Sequence, residues 1–162
     1  MREHAEDYGI DPGKVVALGF SAGGHLVASA AGMAEELLNP GKPDAIVLGY
    51  PVISLKDGIT HQGTKENLVG QDTHLQQKLS VEELVKPDYP KTFAWACEDD
   101  DSVPCENTRL LEEALAKNNV DHECHYYPYG GHGCGLAYDN SACMWSDRMF
   151  TFLKNVLGSG AQ

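Results

Sequence analysis

The chain has 162 residues, enough for one domain with a real hydrophobic core. Twelve basic against 24 acidic side chains give a formal net charge of −12 at pH 7, which disfavours nucleic acid and anionic membrane surfaces as partners. No apolar run approaches ~20 residues, so no membrane-spanning helix is predicted. The five cysteines show neither a paired metal spacing nor a disulfide framework, so we expect a reducing compartment and a cytoplasmic location.

Strand-like and helix-like segments alternate along the chain. Four apolar runs predict strands at residues 15–20, 45–50, 92–97 and 122–127. The first three lack strict alternation, as expected for strands buried on both faces of a parallel sheet. Stretches with apolar residues at three- and four-residue spacing predict helices at residues 22–38, 104–118 and 142–157. In the first of these, the predicted core stripe consists of Leu26, Ala30, Met33 and Leu37. The fold class is therefore α/β, with a mostly parallel sheet and flanking helices.

The segment Gly19-Phe20-Ser21-Ala22-Gly23 stands where the first strand meets the first long helix. A Gly-x-Ser-x-Gly turn of this kind presents a serine hydroxyl to a general base, so the segment is typical of a nucleophile elbow. We expect both glycines of the motif to lie where a Cβ would clash, with Gly24 relieving the first helical turn. The alternative is a small-residue turn that serves only helix–sheet packing.

An acid and a histidine follow the serine in the order that such a site requires. After the third strand come Glu98-Asp-Asp-Asp-Ser-Val-Pro104, and after the fourth comes His132 in a glycine-rich loop. Two alternatives stay open. Asp101 and Ser102 could serve only as caps of the following helix, and His132 could be a surface loop residue.

Four segments of the chain together resemble the carboxyl-terminal part of an α/β-hydrolase. Within that superfamily they are similar to the bacterial acetyl xylan esterase-like or carbohydrate esterase-like group. The segments span nearly the whole chain: Tyr8-Gly-Ile-Asp-Pro12, Gly19-Phe-Ser-Ala-Gly-Gly-His-Leu26, Gly49-Tyr-Pro-Val-Ile53 and Gly130-Gly-His-Gly133.

The resemblance implies a catalytic triad with Ser21 as nucleophile and His132 as base. The acid would be one of three consecutive residues, Asp99, Asp100 and Asp101. The acid of the group usually lies three residues before the valine of a Val-Pro pair, which favours Asp100, with Asp99 as the second choice. The predicted oxyanion- and substrate-binding residues are Ala22, through its backbone N–H, and Gly23.

The domain boundaries are predicted at residues 1–157, with a frayed tail at residues 158–162. Residues 55–90 form a polar segment without sustained periodicity, inserted between two apolar strands. In the resembling group an excursion over the active site stands here, so a lid or cap is the functional prediction and an ordinary long connector is the alternative. His61 and His74 within it are expected at the surface.

The elbow begins only at Gly19, whereas an α/β-hydrolase places several strands before it. The resemblance therefore implies a truncated fold that lacks the usual amino-terminal strands and the loop that donates a second oxyanion N–H. The edge of the apolar run Val15 to Leu18 would then be exposed, which invites association. We expect a fragment, a truncated gene model, or a subunit that pairs with a partner or with its own copies.

The predicted function is a serine ester hydrolase of the carboxylesterase or acetylesterase type, which cleaves short acyl esters of a carbohydrate or a small alcohol. No cofactor is predicted. No metal site is predicted either, because His122 and His125 would face opposite sides of a strand. One alternative is a serine peptidase of the same superfamily, since oligopeptidases share the elbow and the Val-Pro pair after the acid. Another is a non-catalytic remnant or interaction subunit without a complete oxyanion hole.

Overall fold

A parallel sheet with the strand order β1-β2-β3-β4 organises the chain. The computed structural model describes residues 1–34, 36 and 41–158. The strands are β1 Val16–Phe20, β2 Ala45–Gly49, β3 Lys91–Cys97 and β4 His122–Tyr127. A short 3-10 helix, Arg2–His4, is followed by the helices α1 Ala5–Tyr8, α2 Ser21–Gly32, α3 Gln62–Leu68, α4 Thr73–Leu79, α5 Val81–Leu84, α6 Glu106–Lys117 and α7 Trp145–Leu157. The predicted α/β class and its four strands are confirmed, while residues 159–162 of the predicted tail lie outside the described part.

The register of the strands brings their carboxyl ends to one edge of the sheet. Phe20 pairs with Gly49, and Gly49 pairs with Trp95. One step further along, Cys97 pairs with Tyr127. The loops that follow the four strands therefore leave the sheet side by side, which is where parallel α/β folds place their sites.

Helices cover both faces of the sheet. Ile46, Leu48 and Ala94 belong to a core cluster with residues of α2, α5 and α6. Their neighbours Val47 and Phe93 belong to a second cluster with residues of α7. Successive strand residues point to opposite faces, so covered faces on both sides account for the continuous apolar runs of β2 and β3.

The strand β1 departs from this pattern. It is an edge strand, with Val16 36% and Leu18 46% exposed. The prediction that β1 is buried on both faces is therefore wrong for the described residues, because no further element covers these side chains there. The expected exposure of the apolar run in β1 is confirmed.

The packing face of α2 also differs from the predicted stripe. Leu26 is 68% exposed, and the buried residues of the helix are Gly24, His25, Ala28 and Ala31. Small residues face the sheet because the helix approaches it so closely that a leucine stripe would not fit. Leu37, the last residue of the predicted stripe, lies outside the described residues. The stripes of the two later helices are confirmed, with Leu111 and Leu115 of α6 and Met149 and Phe152 of α7 buried.

The predicted lid segment contains three short helices, α3, α4 and α5, whose brevity explains why the sequence shows no periodicity there. The segment is tied to the core by hydrogen bonds. The Val81 N–H donates to the Ile53 carbonyl at 2.9 Å, and the Leu55 N–H donates to the Ser80 hydroxyl at 3.0 Å. Its role as a lid stays a prediction. Among the helices described, none has the length and apolar character needed to cross a membrane.

Asn107 in α6 holds the loop that leaves β2. Its side chain is fully buried, and its Oδ1 accepts the backbone N–H groups of Ile53 (2.9 Å) and Ser54 (3.1 Å). Its Nδ2 donates to the carbonyls of Ile59 (2.9 Å) and Pro104 (3.1 Å). One amide thus satisfies four backbone groups and joins the start of the 55–90 segment to the sheet.

Replacing Asn107 with alanine should lower the free energy of unfolding by about 2 to 4 kcal/mol, because buried N–H groups lose their acceptor. Chemical denaturation of Asn107→Ala against the wild type measures this. Asn67→Ala is the matched control, since among the described residues its exposed amide makes one hydrogen bond, to the Gly63 carbonyl. The control should change stability by no more than about 0.5 kcal/mol. Equal losses of stability in the two variants would contradict the role of Asn107 as the anchor of the loop after β2.

Candidate active site

The turn from β1 into α2 holds Ser21 in a strained conformation. Its φ is +54°, in the left-handed region that non-glycine residues rarely adopt. A Cβ on Gly19 would lie 2.7 Å from the Gly23 carbonyl carbon, and a Cβ on Gly24 would lie 2.8 Å from the Pro51 Cβ. Glycine at these two positions lets the helix start against the strand and the following loop, as an elbow requires.

The expected clash at Gly23 is wrong, because a Cβ there would meet nothing within 4 Å. Gly23 and Ala22 lie exposed in the first turn of α2. No side chain caps the start of this helix, and its first backbone N–H groups, including that of Ala22, have no intrahelical partner.

Ser21, His132 and Asp100 form a continuous hydrogen-bonded chain. The Ser21 Oγ lies 2.8 Å from the His132 Nε2, and the His132 Nδ1 lies 2.7 Å from the Asp100 Oδ2. A carboxylate can only accept, so Nδ1 carries the proton and Nε2 is left to accept the serine O–H. The geometry brings together the three residues that the sequence singles out, in the arrangement by which a serine is activated.

Buried hydrogen bonds hold the Asp100 carboxylate. Its side chain is fully buried, and its Oδ1 accepts the backbone N–H groups of Ser102 (3.0 Å) and Val103 (2.9 Å). These two hydrogen bonds fix the carboxylate so that its second oxygen lies toward His132.

The two neighbouring aspartates, Asp99 and Asp101, make different contacts. The Asp99 carboxylate accepts the backbone N–H groups of Gly130 (2.9 Å) and Gly131 (2.8 Å) and so ties the acid loop to the loop that carries His132. Asp101 is exposed and accepts only the Ser102 hydroxyl among the described hydrogen bonds. Neither Asp101 nor Ser102 caps α6, which begins at Glu106.

Two thiols with raised pKa values, one near the site and one within β4, are poor competitors for the nucleophile role. Burial raises the pKa of Cys97 to about 12 and also raises the pKa of Cys124. Both stay protonated at neutral pH, and a thiol attacks as its thiolate. Cys134, which the sequence places two residues after His132, is half-buried against the apolar cluster under α7.

A cavity of about 480 Å³ opens beside Ala22, between α2 and the 55–90 segment. Its lining includes Leu26 and Leu68 and does not include Ser21, Asp100 or His132. Buried His25 forms part of the wall, with its Nε2 donating to the Leu79 carbonyl at 2.9 Å. Burial lowers the pKa of His25, which keeps this imidazole neutral. The volume is in the range typical of small-molecule sites.

The two histidines of the 55–90 segment have structural or surface positions. The half-buried His61 caps α3 by accepting the Thr64 N–H at 3.2 Å, and His74 is exposed. Within the described residues, no group of three or more His, Cys, Asp or Glu side chains is placed to hold a metal ion. Sequence reasoning missed the anchor role of Asp99 and the contacts of Tyr50 with this site. The glycines around His132 were the available signal that its loop needs anchors.

Gly19→Ala and Gly23→Ala should differ sharply in stability. Alanine at position 19 forces α2 away from β1 and should cost about 3 kcal/mol or more. Alanine at position 23 enters open space in a helix and should stabilise by up to about 1 kcal/mol. Unfolding in guanidinium chloride measures both. Equal stability of the two variants would show that the strand–helix contact does not constrain the elbow.

Acid should release the loop that Asp99 anchors. The N–H groups of Gly131 and Gly130 lower the pKa of Asp99 below its ordinary value of 3.8. A carboxylate of this kind stabilises the fold above its unfolded pKa, and the contribution disappears as the pH falls through the folded pKa. The melting temperature of Asp99→Asn should therefore lie below that of the wild type at about pH 7, and the gap should close below about pH 4.

Asp101→Asn is the control for that titration, because its exposed carboxylate binds no backbone N–H among the described contacts. It should show no such gap. A gap for Asp99→Asn that persists unchanged into acid would contradict the anchor.

Comparison with known proteins places the chain in a family. Residues 1–160 match the prolyl oligopeptidase family. The chain is 34% identical over 156 residues to endo-1,4-beta-xylanase B of Butyrivibrio fibrisolvens, covering 90% of this chain and 24% of that protein. It is 31% identical over 143 residues to the acetylxylan esterase of Xylanibacter ruminicola, covering 84% and 29%.

The structure is also similar to that of an acetyl ester-xyloside bifunctional hydrolase from Caldicellulosiruptor lactoaceticus. The TM-score is 0.85 at 39% sequence identity, over 96% of this chain and 61% of that chain. The chain thus spans about a quarter of the length of the curated relatives, 24% and 29%, and corresponds to part of the α/β-hydrolase fold of the solved structure. The resemblance to the acetyl xylan esterase-like group of α/β-hydrolases is confirmed, and the chain belongs to the prolyl oligopeptidase family.

Proposed function

We propose that the chain carries the catalytic residues of a serine ester hydrolase, with Ser21 as nucleophile, His132 as general base and Asp100 as the orienting acid. The observation that carries the proposal is the pair of short contacts on either side of the His132 ring, 2.8 Å to Ser21 and 2.7 Å to Asp100. The ring's two nitrogens are thus engaged in the two roles that acyl transfer demands of the base.

In the acylation step, the Ser21 oxygen attacks the ester carbonyl carbon while its proton moves to the His132 Nε2. The Asp100 carboxylate stabilises the imidazolium that forms. The carbonyl oxygen becomes an oxyanion, to which the Ala22 N–H donates. The proposal includes a second, unassigned donor to this oxyanion. When the tetrahedral intermediate collapses, the C–O bond to the alcohol breaks and His132 returns the proton to the leaving oxygen.

In the deacylation step, water replaces the alcohol. His132 takes a proton from the water molecule, whose oxygen attacks the acyl-enzyme carbonyl. Collapse of the second intermediate breaks the bond between the acyl carbon and the Ser21 oxygen. His132 returns the proton to that oxygen, and the carboxylic acid leaves. No redox partner or metal ion takes part in this balance.

For the substrate we propose short acyl esters, such as acetate, on a carbohydrate or a small alcohol. The names of the acetylxylan esterase and of the acetyl ester-xyloside hydrolase support this class. The net charge of −12 favours neutral substrates over anionic ones. The cavity beside Ala22 is much larger than an acetyl group, so it leaves room for the alcohol part.

Peptide cleavage is the second candidate, because the family that the chain matches is the prolyl oligopeptidase family. The same residues would then attack an amide carbonyl, and His132 would protonate a leaving amine. Release of p-nitroaniline from a prolyl p-nitroanilide, compared with release of p-nitrophenol from p-nitrophenyl acetate, separates the two candidates.

Replacing Ser21 with alanine should abolish turnover of p-nitrophenyl acetate, with a loss of at least about a thousand-fold in kcat, because the nucleophile is removed. A fluorophosphonate should label the wild type at Ser21, as located by peptide mass spectrometry, and should not label the variant. Ser146→Ala, in α7, is the matched control and should retain both activity and labelling. Full activity in Ser21→Ala, or no turnover and no label in the wild type, would contradict the proposal.

A further inference from the structure

Tyr50 contacts His132 and the residue that precedes Ser21. It follows β2 directly, and it is 4% exposed. Its ring centroid lies 5.6 Å from that of Phe20, the residue before Ser21, and 4.8 Å from that of His132. One side chain therefore lies against both the elbow and the imidazole.

Backbone hydrogen bonds hold the segment around Tyr50 against β3 and against Ser21. Its φ of +36° is a strained value for a bulky residue, and its N–H donates to the Trp95 carbonyl at 2.6 Å. Two residues later, the Val52 N–H donates to the Ser21 carbonyl at 3.1 Å. The segment that carries the tyrosine is thus hydrogen-bonded to the elbow.

The loop that carries His132 has little rigidity of its own. Gly131, Gly133 and Gly135 adopt positive φ values of +64°, +73° and +56°. Glycine loses the most conformational freedom when it is ordered, so such a loop needs external anchors.

Anchors flank His132 on both sides in the sequence. On the amino side, Asp99 binds the N–H groups of Gly130 and Gly131. On the carboxyl side, the Gly135 N–H donates to the Tyr50 hydroxyl at 3.1 Å, and the Gly135 carbonyl accepts the Trp145 Nε1–H at 3.1 Å. Tyr50 and Trp145 both also contact Phe20 of the elbow, but among the described ring contacts Tyr50 alone packs against His132 as well.

We propose that Tyr50 is a positioning residue for the base. Its ring packs against the imidazole and its hydroxyl anchors Gly135, so that together they keep the His132 Nε2 within hydrogen-bond reach of the Ser21 Oγ. The proposal rests on the proposed function for its effect on turnover. Tyr50 acts through His132: a base displaced by even 1 Å loses efficient proton transfer, whereas substrate binding is unaffected.

The test compares Tyr50→Phe with Tyr127→Phe. Both remove one hydroxyl from a buried tyrosine in the same apolar cluster, but the Tyr127 hydroxyl has no hydrogen-bond partner among the described residues. We expect Tyr50→Phe to lower kcat for p-nitrophenyl acetate about ten-fold, the scale of one lost hydrogen bond, with KM changed less than about two-fold. Tyr127→Phe should keep both constants, and melting temperatures exclude a general loss of fold.

A second measurement does not depend on activity. By NMR, the Gly135 amide should exchange with solvent about ten-fold faster in Tyr50→Phe, and the His132 Nδ1–H resonance should broaden. Neither change should appear in Tyr127→Phe. A wild type without esterase activity would overturn the proposed function alone, and the exchange rates would still decide the positioning. Unchanged exchange and kcat in Tyr50→Phe, or equal effects in the two variants, would overturn the role of Tyr50.

Discussion

The close approach of α2 to the sheet is the constraint on which the site depends. A helix that starts at the end of a strand must fold back over it, and only glycine at positions 19 and 24 leaves room for the Gly23 carbonyl and for Pro51. The turn between them holds Ser21 at a φ of +54°, a conformation with a cost of order 1 to 3 kcal/mol that the surrounding contacts maintain. The same approach explains why α2 packs through glycine and alanine, leaving Leu26 in the open.

The rest of the site is held by polar anchors rather than by secondary structure. An acidic loop presents Asp100 and a glycine-rich loop presents His132, and carboxylates that accept backbone N–H groups hold both loops. Asp99 joins the two loops, and Asn107 ties the loop after β2 to α6. Buried polar groups such as Asp100 and Asn107 must be fully paired, which makes their geometry specific.

The chain belongs to the prolyl oligopeptidase family and is similar to an acetylxylan esterase and to an acetyl ester-xyloside bifunctional hydrolase. One scaffold is therefore shared by proteins that are named for different reactions. A strained serine, an imidazole and a carboxylate can transfer acyl groups from esters or from amides, and substrate choice depends on the walls around them. In the described residues the cavity beside Ala22 is lined by α2 and by the 55–90 segment, which is tied to the core by buried hydrogen bonds.

The sequence by itself determined the α/β class, the strands to within one residue, and the serine, acid and histidine as candidate residues in their chain order. These features depend on local apolar runs and on turn chemistry, which neighbours along the chain dictate. Only the tertiary structure decided which aspartate faces His132, that Gly24 rather than Gly23 meets a neighbour, and that Tyr50 contacts both Phe20 of the elbow and His132. Each of these contacts depends on the register of the parallel strands and joins atoms that are distant in sequence. Packing between elements therefore cannot be inferred from the residues on either side of a position in the chain.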